Sequence, residues 1–324
     1  MVLSNKLRGK FFLIFAILLL LFAIVLNPQT YISACLNGIL IWGTIVLPAL
    51  LPFMFFTKTL TELGIADALQ NKFQLIPKIF KVPACATYVF VMSVLSGYPV
   101  GAKILSDLYE TGVITQTDAY KISTFTSNSG PMFILGSVGI GMLGNKKLGI
   151  IILISHIIGA IFNGLLYRNY NKNNISNNIK KNKIETAFNI GNTMWDTARS
   201  VLIVGGFIAI FFVIIEILNN LNVFLPFNLF LSKITGLPPN IFNAIFNGFF
   251  EITRGCKEIA MLNLGEMGSA IICTGIITFG GLATALQAIT FLKKFNMSLN
   301  FFLKQKITHT IFACAVCFLL ILIF

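Results

Sequence analysis

The chain has 324 residues, of which 56% are hydrophobic and 11% charged, with a mean hydropathy of +0.86; this apolar share lies far above that of a soluble domain. Lys and Arg number 24 against 11 Asp and Glu, for a net charge of +13, and because the basic residues sit between apolar runs they read as cytoplasmic loops of a membrane protein. A soluble domain and a nucleic-acid surface are thereby excluded, and the lipid bilayer is the expected principal partner.

In chain order, Lys6, Arg8 and Lys10 precede the apolar run Phe11–Leu26, a positive flank that puts the N-terminus in the cytoplasm. The run reads as a transmembrane helix. Ile32-Ser33-Ala34-Cys35 resembles a lipoprotein cleavage box, but the polar Asn27-Pro28-Gln29-Thr30 separates it from the apolar run, and chance explains it better. Tyr31–Phe56 is a second span containing Pro48 and Pro52, followed by a basic amphipathic stretch from Lys58 to Lys81. Ala84–Leu108 is hydrophobic up to Ser96-Gly97-Tyr98-Pro99 and polar from Lys103, and reads as a re-entrant hairpin. Thr117–Leu143 crosses the bilayer with its middle interrupted at Thr126–Pro131, and Leu148–Tyr167 crosses back. Gly and Pro disrupt helices, and broken backbone at membrane depth is tolerated only where it is buried in protein or lines a wet cavity. These interruptions therefore point to a solute site. Arg168–Lys183 is an Asn/Lys linker whose four lysines mark it as cytoplasmic.

After the linker the pattern starts again, at an offset of 153 to 154 residues. Trp42 and Thr44 recur as Trp195 and Thr197, Phe53 and Glu62 as Phe207 and Glu216, and Gly101-Ala102-Lys103 as Gly255-Cys256-Lys257. Thr124-Phe125 recurs as Thr278-Phe279, placing the break at Thr126–Pro131 opposite Gly280–Ala285, and Ser155-His156 recurs as Thr308-His309. Ordered matches of this kind indicate a duplicated unit. Four spans precede the linker, so Trp42 lies on an inward-running span and Trp195 on an outward-running one, and the repeats are inverted. By the same count Lys293, Lys294, Lys304 and Lys306 are cytoplasmic, whereas Lys146 and Lys147 fall on the far side, against the charge rule. The expected fold is an all-α polytopic membrane protein with two inverted-topology repeats, re-entrant hairpins and broken helices, plus an extra N-terminal transmembrane helix. Its units are residues 1–30 (N-terminal helix), 31–168 (first repeat), 169–190 (basic linker) and 191–324 (second repeat).

Among the polar residues, Lys103, Asp107 and Glu110 share a helix face, and Asn243, Asn247, Glu251, Arg254 and Glu258 form a comparable stripe. Ionisable groups at bilayer depth are costly and lean functional; the alternative is that Lys103–Asp107 and Glu251–Arg254 are ion pairs that staple each hairpin. The planar fork of Arg254 suits a carboxylate ligand. Substrate contacts are assigned to Ser96, Gly97, Tyr98, Lys103, Thr126, Ser127, Asn128, Ser129, Glu251, Arg254 and Gln287, helped by amides at half-helix N-termini. His156 and His309 read as structural hydrogen-bonding residues, with proton coupling as the alternative. The six cysteines, Cys35, Cys85, Cys256, Cys273, Cys314 and Cys317, form no metal-type cluster and read as small hydrophobes, and Cys314-Ala315-Val316-Cys317 lacks a redox context. No catalytic arrangement, metal set or phosphate-binding loop is found, so no enzyme activity, cofactor or metal is expected. The absence of a nucleotide-binding motif argues against a primary pump.

Through Ser96-Gly97-Tyr98-Pro99-Val100-Gly101-Ala102-Lys103, Thr126-Ser127-Asn128-Ser129-Gly130-Pro131, Glu251-Ile252-Thr253-Arg254-Gly255 and Phe279-Gly280-Gly281-Leu282, the sequence resembles the SpoVV/YlbJ family of sporulation integral membrane proteins over nearly its whole length. That family carries the nucleoside-recognition or gate domain and is distantly similar to concentrative nucleoside transporters, in which two hairpins and two broken helices form a midplane site. The resemblance implies a secondary or facilitative transporter of a small organic anion, dipicolinate, across the outer forespore membrane of an endospore-forming bacterium. The alternatives are a nucleoside or other small-solute transporter, or a non-transporting assembly protein. One departure stands out. Where the family pattern reads Gly-Gly-Leu-Ser-Val-His, Ala283-Thr284-Ala285 follows Leu282 here, so this half of the site is less polar. The coupling ion, the direction of transport and any homo-oligomer are left open.

Overall fold

In a computed structural model, residues 2–63, 75–170, 189–262 and 264–323 are described, without the side chains of residues 2–10, 12 and 61. Lys72 and nearly all of the Asn/Lys linker lie outside the described residues. Those described are helical or connecting segments, with no strand among them. The N-terminal helix α1 (Val2–Leu26) leads into α2 (Pro28–Ile41), which runs through a π-helical turn at Trp42–Val46 into α3 (Leu47–Glu62). The short α4 (Leu75–Phe80) follows. Helices α5 (Ala86–Ser96) and α6 (Val100–Glu110) meet at Gly97–Pro99, as the hairpin reading expects. Helix α7 (Gln116–Thr126) stops at four non-helical residues, Ser127 to Gly130, before the π-helical Phe133–Met142, and α8 is Lys146–Tyr167.

The order is similar beyond the linker. Helix α9 (Ile190–Asn220) is followed by the short α10 (Leu225–Thr235), by α11 (Pro239–Phe250) and α12 (Ile252–Met261), which meet at Glu251, by α13 (Gly265–Phe279) and α14 (Gly281–Leu292), which are broken at Gly280, and by α15 (Leu299–Ile323). The two breaks differ in kind. Gly280 and Gly281 turn the chain within two residues at φ +91° and +62°, a region open to glycine without steric cost. Ser127–Gly130 runs unwound instead, and its polar groups need partners from elsewhere.

Local signals set several boundaries. Thr115 and Asp118 form a reciprocal capping box on α7, and the Asn145 and Asn189 side chains accept from Leu148 N at 3.2 Å and Asn192 N at 3.1 Å to cap α8 and α9. Among the described residues five helical segments are long and apolar enough to cross a membrane: Pro28–Leu60, Lys146–Tyr167, Ile190–Asn220, Gly265–Phe295 and Leu299–Ile323. Large apolar side chains such as Phe22, Leu40, Leu202 and Ile311 face outward, the arrangement expected where lipid is the solvent. Helix α2 packs on α9, where the Trp42 indole lies against Gly205 and its Nε1 donates to Val201 O at 3.2 Å. Helices α8 and α15 pack along one another, with Gly159 against Ala313. Trp195, paired with Trp42 in the repeat alignment, is instead exposed.

Candidate functional site

The four interruptions converge. Ser96, Gly97 and Tyr98 from the first hairpin tip, Ser129 and Gly130 from the first break, Glu251, Ile252 and Thr253 from the second tip, and Ala283, Thr284 and Gln287 from the start of α14 line one cavity of about 70 Å³. Leu50 and Met54 of α3 and Val204, Phe207 and Ile208 of α9 contribute the apolar walls. The volume suits several waters, since one water needs roughly 10–15 Å³.

Close backbone packing makes the convergence feasible. Gly97 sits at φ +71°, and a Cβ there would lie 2.5 Å from Gly130 N, so the first hairpin tip rests backbone to backbone on the first break. Helix N-termini reach the same space, through Ala283 and Thr284 in the first turn of α14 and Ile252 and Thr253 in that of α12. First-turn amides lack intrahelical partners and carry partial positive charge. The α14 terminus has no side-chain cap, whereas the Glu251 carboxylate caps α12 by accepting from Arg254 N at 2.8 Å. Glu251 is 3% exposed and is the one ionisable carboxyl or basic side chain among the described residues that line the cavity. The Thr253 hydroxyl, also buried on the wall, faces the Glu251 carboxyl.

Behind the cavity lies a polar core. His156 Nε2 accepts from Ser129 N at 3.0 Å, so that nitrogen is unprotonated; Nδ1, 2.9 Å from Thr278 Oγ1, then carries the proton. His309 Nε2 meets His156 O at 3.0 Å, and the two rings lie 4.9 Å apart. The pair thus links the first break to α13, in keeping with the structural reading of the histidines. Asn163 Nδ2 donates to Thr124 O at 2.7 Å and to Gln305 O at 3.1 Å.

Lys306 completes this core. The span count puts it in a cytoplasmic loop; the structure corrects that, placing it on α15 at 3% exposure. Its ammonium donates to Tyr98 Oη, to Ser127 O at 3.2 Å and to Thr278 O at 3.2 Å, while Tyr98 Oη donates to Ser127 O at 2.7 Å. A signal for it exists in the sequence: Phe302, Gln305, Lys306, His309 and Ala313 recur at helical spacing, and all five are buried.

The sequence-assigned residues separate into groups. Ser96, Gly97, Tyr98, Ser129, Glu251 and Gln287 line the cavity. Thr126 and Ser127 lie beside it around a smaller recess of about 20 Å³, together with Gly97, Tyr98 and Gln305. Asn128 is 1% exposed and turned to the hairpin interior, donating to Ser93 Oγ at 3.1 Å and Phe125 O at 2.9 Å. Lys103 is exposed on α6, away from the cavity; on the same helix Glu110 pairs with Lys294 at 2.8 Å. Arg254 is engaged by carboxylates of its own chain, with Glu216 at 2.7 Å, Glu258 at 2.7 Å and Phe212 O at 3.2 Å, and Glu258 also accepts from Asn247 at 2.7 Å. The staple reading of the stripe therefore fits better than substrate contact, with Glu258 and Glu216 as the partners in place of Glu251. Among the described residues no group of three or more His, Cys, Asp or Glu could hold a metal ion.

Fold and site together define a multi-pass α-helical integral membrane protein with a polar centre built from broken helices. No protein-family model matches the chain, and no solved structure matches it. It is similar to the sporulation integral membrane protein YlbJ of Bacillus subtilis (strain 168), 27% identical over 92% of this chain and 79% of that protein. This likeness supports the SpoVV/YlbJ family that the motifs suggest.

Proposed function

We propose that the chain is a secondary or facilitative transporter of a small solute, acting in the membrane of a sporulating cell, with dipicolinate as the leading substrate. The observation that carries this reading is the cavity common to all four interruptions. A scaffold protein has no use for unwound polar backbone gathered around a wet space, because each unsatisfied group in lipid is costly. Two inverted units moving against each other would open the cavity to either side in turn. The name of the Bacillus subtilis relative supports a role in sporulation.

The electrostatics favour an anion at one wall and oppose it at another. The uncapped amides of α14 suit a carboxylate, whereas Glu251 must be neutral for a dianion to enter. Arg254 contributes no free charge, being held by two carboxylates. A nucleoside is the second reading, favoured by the same Glu251, which as a carboxylate accepts from hydroxyls of a neutral solute.

The test is flux of dipicolinate and of uridine into liposomes carrying the purified protein, with Glu251→Gln in parallel. The amide keeps the cap on α12 and removes the charge. Dipicolinate flux that rises in the variant supports the anion reading; uridine flux that falls in it supports the nucleoside reading. No flux of either solute through folded protein overturns both.

A further inference from the structure

The two broken helices present their carbonyl ends to one point. Ser127 O is released where α7 stops, and Thr278 O lies in the last turn of α13. Each helix C-terminus carries partial negative charge, and here two of them face each other together with the Tyr98 hydroxyl. Carbonyl and hydroxyl oxygens at the ends of half-helices are the kind of ligand a hard cation takes. In this chain the position is filled by Lys306 Nζ, which touches all three oxygens, stands 4.5 Å from the Tyr98 ring centre and lies against Gly280. No ion pair among the described residues includes Lys306; the groups compensating its charge are backbone dipoles.

We infer that this is a cation site with a built-in occupant, the Lys306 ammonium standing where a bound monovalent cation would otherwise hold the two broken helices together. Resting on the transporter reading, this means that the solute cycle needs no sodium or potassium ion, because the cation that joins the units is covalently part of α15. The geometry explains why one lysine serves both halves. Its long side chain reaches across the axis between equivalent elements, touching α7 on one side and α13 on the other, while Tyr98 from the first hairpin tip closes the set. It also gives the cavity its polarity, since carbonyl ends neutralised by Lys306 leave the amide end of α14 as the face presented to solute.

The experiment reads thermal unfolding of the purified full-length protein in sodium, potassium, methylammonium or choline chloride. The wild-type protein is expected to melt at the same temperature in all four. Lys306→Ala, which vacates the position, is expected to melt lower in choline and to recover several degrees in at least one of the three small cations in a saturable manner. Lys306→Met, which removes the charge but fills the space, is expected to melt lower with no recovery in any of them. A saturable sodium or potassium effect on the wild type overturns the inference, and so does a Lys306→Ala protein that is equally unstable, or unfolded, in all four salts. The readout needs no transported substrate. Failure of the flux assay with recovery of Lys306→Ala would sink the transporter reading alone, and sodium-dependent flux in the wild type would sink the tethered cation alone.

Discussion

Arg254 and Lys306 are both basic side chains drawn into the protein interior, and their surroundings assign them opposite jobs. Arg254 joins α12 to α9 through Glu216 and closes on Glu258 one turn along its own helix, with side-chain exposures of 14%, 27% and 27%. A fully buried pair loses roughly 3–5 kcal/mol when one partner is removed; with this partial exposure Arg254→Ala is expected to cost less, about 2–3 kcal/mol. The measurement is unfolding in detergent, alone and with a transported solute. A lowered melting temperature with the solute-induced rise intact identifies a staple, and loss of that rise with unchanged stability would restore Arg254 to the binding site. The sequence places Arg254 and Glu258 in one stripe but pairs Arg254 with Glu251, and it gives no sign of the engagement with Glu216, which is 38 residues away; a contact at that distance follows from how two helices cross, which no local spacing encodes.

At the scale of elements, the first hairpin and the broken helices were legible because Gly and Pro interrupt apolar runs at Gly97, Pro99, Gly130, Pro131, Gly280 and Gly281. Which side chain of a break faces the solute was not legible. Asn128 looks the strongest ligand by residue type, yet an unwound segment turns successive side chains in different directions, and this one points into the α5 hairpin. Single-cysteine labelling in a background with the six native thiols replaced checks the assignment. Cysteines at Thr253, Thr284 and Gln287 are expected to react with a small water-soluble reagent and to be protected by transported solute, while one at Asn128 reacts slowly and without protection. Fast, solute-protected labelling at Asn128 would move the site to the other face of the break.

In the whole molecule, α8 and α15 bring the two halves into register. A Cβ at Gly159 would stand 2.8 Å from the Ala313 backbone, and small residues at such a crossing let helices approach where lipid supplies no hydrophobic drive. Gly159→Leu is expected to force the pair apart at a cost of about 1–3 kcal/mol or more, lowering the melting temperature and abolishing flux. Since both Lys306 and His309 lie on α15, the variant should also disturb the polar core; a fully active Gly159→Leu protein would show that α8 and α15 are free to separate.

Composition and patterning alone determined the membrane class, the helical fold, the first hairpin tip and the two breaks, because hydropathy and backbone restrictions act within a few residues of each position. Only the tertiary structure decided that those four interruptions share one cavity, that Arg254 is held by its own chain, and that Lys306, counted by its charge among loop residues, stands at the centre with both helix ends. Charge predicts the side of a membrane when a residue is solvated; once backbone carbonyls from distant elements replace the water, burial depends on the assembly of α7, α13 and α15, and that assembly is a property of the packed chain.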